Sequence, residues 1–148
     1  MPRRAALTLL LAATAIAGCG TGTEEDSTER FSGPAREVVA TVETLQEAAG
    51  ARDAQAICSN LLATSVQDAL RATRTPCAEA VEDALTATDV VDLTVPPGGV
   101  QLQGDQARVR VEVGDREGAS APATFAMVRE GANWKLGGIQ GAQPPGGG

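Results

Sequence analysis

The sequence predicts an α+β domain in which N-terminal helices pack on a curved antiparallel sheet of about four to five strands. Two observations carry this. From Pro34 to Thr88 apolar residues recur at helical spacing, whereas beyond Asp89 they alternate with polar ones. A third observation bends the sheet: in "WKLGGIQ", Ile139 shares a face with Trp134 and Leu136 only if Gly137-Gly138 absorbs one extra residue as a β-bulge.

The helices follow in order. Pro34 suits a first turn that Ser32 can cap; Val38, Val39, Val42, Leu45 and Ala49 form one stripe, and Gly50 ends it. Asp53 caps a second helix whose stripe is Ala54, Ile57, Cys58, Leu61 and Leu62. Thr64 or Ser65 begins a short third helix with Val66, Ala69 and Leu70 inward, and Ser65-x-x-Asp68 reads as a variant capping box. Thr75-Pro76 starts the fourth, with Cys77, Ala80, Val81, Ala84 and Leu85 inward.

The strands are "VVDLTV" from residue 90, a "PPGG" turn, "VQLQ", a tight Gly104-Asp105 turn and "QARVRVEV". The last of these sends Ala107, Val109, Val111 and Val113 to one face and Arg108, Arg110 and Glu112 to the other, so one face of the sheet is wet. "ATFAMVR" and "WKLGGIQ", joined by "EGAN", close the domain as a hairpin.

Ahead of the domain stands a different kind of segment. Arg3-Arg4 precede the thirteen-residue apolar run Ala5 to Ala17, then Gly18 and Cys19. Crossing a bilayer takes about 20 apolar residues, so this run reads as a signal peptide. Ile16-Ala17-Gly18-Cys19 resembles the lipobox of bacterial lipoproteins. The resemblance implies cleavage before Cys19, a diacylglyceryl group on its sulfur and acylation of the new amino terminus. Stable anchoring takes about two acyl chains, which such a residue supplies.

The expected organisation is a signal peptide at 1–18, a disordered tether at 19–33, one domain at 34–140 and a disordered Gly/Pro tail at 141–148. With 1–18 removed, ten basic residues face nineteen acidic ones, a net charge of −9. That charge argues against a nucleic-acid partner. One lysine against eleven arginines points to a high-GC, actinobacterial genome. With Cys19 assigned to lipid, Cys58 and Cys77 are an inward-facing pair in an exported chain, and a disulfide between them is expected.

Residues 34–140 resemble the nuclear-transport-factor-2-like superfamily, a cystatin-like cone shared with ketosteroid isomerases and small polyketide cyclases. "ARDAQAICSNLLA", "VQLQGDQARVRVEV" and "FAMVREGANWKLGGI" carry the likeness. It implies helices closing a curved sheet around a cavity. Paired cysteines about twenty residues apart are similar to those of exported actinobacterial members.

The chain has no histidine and no tyrosine. A serine nucleophile lacks its usual base, a zinc site lacks imidazole, and the tyrosine of the isomerase relatives' oxyanion hole has no counterpart. No metal or cofactor is expected. Glu24, Glu25, Asp26 and Glu29 lack the spacing of a calcium loop. Asp89 and Asp92 are the candidate pocket carboxylates, with solvation as the plainer role. Phe125, Met127, Trp134 and Leu136 either fill the core or, with Val109 and Val111, border an apolar cavity. Arg108 and Arg110 form an anion or partner site or a solvated face. The leading functional expectation is a lipid-anchored, extracytoplasmic, non-catalytic binding domain for an envelope component, a protein or a small apolar ligand. An aspartate-only isomerase or cyclase, and an envelope module that dimerises through its sheet, are the alternatives.

Overall fold

The protein, studied as a computed structural model, is described over residues 27–88 and 90–141; Cys19, Asp89 and nearly all of the 141–148 tail lie outside the described residues. Ser27–Arg30 makes a single 3-10 turn, and Phe31 packs against the core. The folded part therefore begins ahead of the Pro34 boundary, because one aromatic in an otherwise polar stretch finds apolar surface to cover.

Helix α1 spans Gly33–Gly50 with proline in its first turn, and Ser32 occupies the N-cap position without making the side-chain cap bond expected of it. Val38, Val39 and Val42 are fully buried. β-Branched residues cost less than about 0.7 kcal/mol each in a helix, whereas burying each contributes about 1.5–3 kcal/mol. Packing therefore decides, and the valine stripe fixes which side of α1 faces the sheet.

Asp53 caps α2, Ala54–Ala56, by accepting the Ala56 N–H at 2.9 Å. The expected second helix then widens into a π-turn, Ile57–Leu61, closed by Leu62 N–H donating to the Ile57 carbonyl. The widening keeps Ile57, Cys58, Leu61 and Leu62 all buried while the chain turns to meet the sheet. Leu62 bridges Leu136 in parallel, and Ala63 N–H donates to the Leu136 carbonyl.

Helices α3, Thr64–Ala72, and α4, Cys77–Ala87, contain no fully buried residue. Val66, Val81 and Leu85 are partly buried against the core, while Ala69 and Ala84, expected inward, are exposed. The Ser65/Asp68 capping box does not form: Ala63 is the N-cap residue and Asp68 pairs with Arg71 at 2.8 Å. With so little apolar cover, α4 is held by the Cys58–Cys77 disulfide, whose Cα atoms lie 6.1 Å apart.

The strands are β1 Val90–Thr94, β2 Val100–Gln103, β3 Gln106–Asp115, β4 Ser120–Glu130 and β5 Asn133–Gln140. They form one antiparallel sheet in the order β1-β3-β4-β5, with β2 also on β3. β1 and β2 thus lie in line along one edge. Five residues, Val95 to Gly99, oppose only Arg110 and Val111 of β3, so "PPGG" makes a wide bulge and not a hairpin turn. Gly99 is required there, since a Cβ would sit 2.8 Å from the Pro96 carbonyl oxygen.

The β4–β5 register shifts by one residue at Gly137, as "LGGI" predicts. Ile139 then pairs with Phe125 on the inner face, yet it stays 52% exposed because the helices do not reach that corner. Ala107, Val109 and Val111 face inward with Phe125, Met127, Trp134 and Leu136. Replacing Cys58 and Cys77 together by alanine should lower stability by about 3 kcal/mol on the chain-entropy account. Urea unfolding of the oxidised chain against the double variant measures the difference.

Candidate functional site

The interior between helices and sheet is filled. Val109 and Val111 have no exposed surface and Phe125 and Trp134 are each 3% exposed; with the α1 valines they form a single cluster. Of the two roles expected of Val109, Val111, Phe125, Met127, Trp134 and Leu136, filling the core is the one their burial shows. Among the described residues no side chain of polar or charged type is buried, and no three carboxylate or thiol side chains gather as metal ligands.

Asp92 is exposed on the edge strand β1. The Gln46 amide donates to its Oδ1 at 3.3 Å and the Thr94 hydroxyl to its Oδ2 at 3.1 Å. Gln46 Oε1 in turn accepts the Leu93 N–H at 2.9 Å. The cluster ties α1 to the sheet edge, and Asp92 lines neither of the two cavities described next.

One cavity is a trough of about 330 Å³ on the outer face of the sheet. Ala126 and Gly137 are among its small residues, and Gln101, Gln103, Gln106, Arg108 and Gln140 stand around it. Arg108 and Arg110 are exposed and, among the described residues, neither has an ion-pair partner. Alternation in "ARVRVEV" made this face legible in the sequence.

The second cavity, about 540 Å³, opens between α1, the π-turn and the start of β5. α1 contributes Glu37, Thr41 and Thr44, the π-turn Asn60 and Leu61, and the β4–β5 hairpin Asn133, Trp134 and Lys135. The indole Nε1 of Trp134 is buried and has no hydrogen-bond partner. Arg129, its cross-strand neighbour, places its guanidinium 6.0 Å from the ring centroid and 3.9 Å from Glu37 Oε2. The Lys135 ammonium donates to the Asn60 carbonyl oxygen. Both hydroxyls from α1 are turned back onto helix carbonyls, Thr41 to Glu37 and Thr44 to Ala40.

Sequence spacing did not bring these residues together. Glu37 and Lys135 are far apart in the chain and meet only because α1 crosses the sheet above β5. A further long-range contact steadies this wall: Glu130 accepts the Thr64 N–H at 2.8 Å and the Thr64 hydroxyl at 3.0 Å, capping α3 from the sheet.

With this geometry in hand, no family model, no curated protein and no solved structure matches the chain. Glu130→Ala should lower stability by about 1 kcal/mol through the lost cap. Urea unfolding reads that loss, and faster amide exchange at Thr64 and Ser65 locates it.

Proposed function

We propose that the chain is a bacterial lipoprotein, anchored through lipidated Cys19 on the outer side of the cytoplasmic membrane, whose nuclear-transport-factor-2-like domain binds without catalysing. The observation that carries the binding half is the contrast between a solid interior and a polar cleft at the surface, lined by amides, hydroxyls and one orphaned indole N–H. Catalysis by aspartate alone needs a carboxylate in an enclosed pocket, and Asp92 instead spends its hydrogen bonds joining α1 to β1. The address rests on Arg3-Arg4, the short apolar run and Ile16-Ala17-Gly18-Cys19. A disulfide between Cys58 and Cys77 suits an oxidising compartment.

The stretch after Cys19 is rich in acids, which an anionic membrane surface repels. Intact-mass spectrometry of membrane-extracted protein should show a chain starting at Cys19 with a diacylglyceryl adduct. Cys19→Ala should abolish the adduct and leave precursor or released protein. A Cys19→Ala chain that is processed and retained in the membrane as before contradicts the reading.

A further inference from the structure

The geometry points to the cleft between α1 and β5 as a saccharide site, in which a sugar hydroxyl oxygen accepts the hydrogen bond that Trp134 Nε1 lacks. This rests on the reading of the domain as a binding module and names its ligand class. An indole N–H is a donor only. Left buried without an acceptor it is costly, and such groups in a folded protein call for a partner absent from the chain itself. Here the side chain is 3% exposed, its nitrogen is orphaned, and the same residue lines a cavity of about 540 Å³. That volume lies within the usual range of small-molecule sites.

The walls select the ligand. Asn60 and Asn133 each offer a donor pair and an acceptor, Glu37 accepts, and Lys135 donates. Hydroxyl groups, which donate and accept at once, match that mixture. Phosphate and sulfate are anions and would face the Glu37 carboxylate; a cation would face Lys135 and Arg129. An apolar molecule would strip water from the amides without replacing their hydrogen bonds. The Arg129 guanidinium lies over the indole ring, 6.0 Å from its centroid, and the ligand is assigned to the N–H. On the rim, the Lys135 ammonium donates to the Asn60 carbonyl oxygen.

Trp134 is the sole tryptophan, so its fluorescence reports the site directly. The full-length chain is titrated with maltotetraose and with the N-acetylglucosamine tetramer, both neutral, into the millimolar range. The expected result is a saturable emission shift with at least one of them. Trp134→Phe keeps a ring and deletes the N–H; calorimetry should then show affinity reduced about fivefold to tenfold. Asn133→Ala, at an exposed position where folding is not in question, should weaken binding as well. Absence of a saturable shift with both saccharides, a shift given by sulfate or phosphate but by neither saccharide, or undiminished binding by both variants overturns the proposal. Binding accompanied by cleavage of the saccharide, checked by mass spectrometry, supports the site while overturning the non-catalytic reading. The anchoring at Cys19 is read by its own mass measurement and is untouched by either result.

Discussion

Everything else in this fold depends on the packing of the valine stripe of α1 into the core that covers the inner face of the sheet. Val38, Val39 and Val42 belong to one buried cluster with Val109, Val111 and Phe125, all at most 3% exposed. Valine is short and stiff, and dispersion contacts across the filled core replace what larger side chains would give. Among the described residues, a core closed this way leaves no room for a ligand inside. Binding chemistry is displaced to the margins, where α1 runs past the start of β5.

The margins are shaped by two irregularities of the sheet. The Gly137 bulge turns the end of β5 so that Trp134 and Leu136 lie under the helices while Ile139 reaches a corner they leave open. The Val95–Gly99 bulge carries one edge strand past β3 in two pieces, and its prolines blunt that edge against pairing with another chain. Opposite, the Leu62–Leu136 bridge and the Glu130 cap hold the π-turn against β5. The disulfide then secures α4, a helix with no fully buried residue. These constraints keep Asn60 facing the same cleft as Lys135.

Much of this architecture was legible locally. The switch from helical to alternating spacing, the Asp53 cap, the inward faces of α1 and β3 and the Gly137 bulge all follow from residues within a turn or a strand of one another, and the cysteine pairing from two inward-facing thiols on successive helices. What escaped was long-range or geometric. Nothing near Ser65 announces that Glu130 will cap its helix, and "PPGG" reads as a turn unless the shared partner β3 is known. The π-turn has no local signature, because its apolar stripe is that of an α-helix. The cleft was invisible for the same reason: Glu37, Asn60 and Lys135 are unremarkable polar residues until α1 and β5 cross.

The central claim is that the interior is closed and that the indole of Trp134 lies within it, with only its cleft side near a ligand. Acrylamide quenching of the full-length, ligand-free chain tests this most directly, since one tryptophan supplies the whole signal. The account predicts blue-shifted emission and a quenching constant far below that of free indole, rising to the free value only on unfolding in urea. Red-shifted emission with quenching as strong in the native chain as in the unfolded one would contradict it.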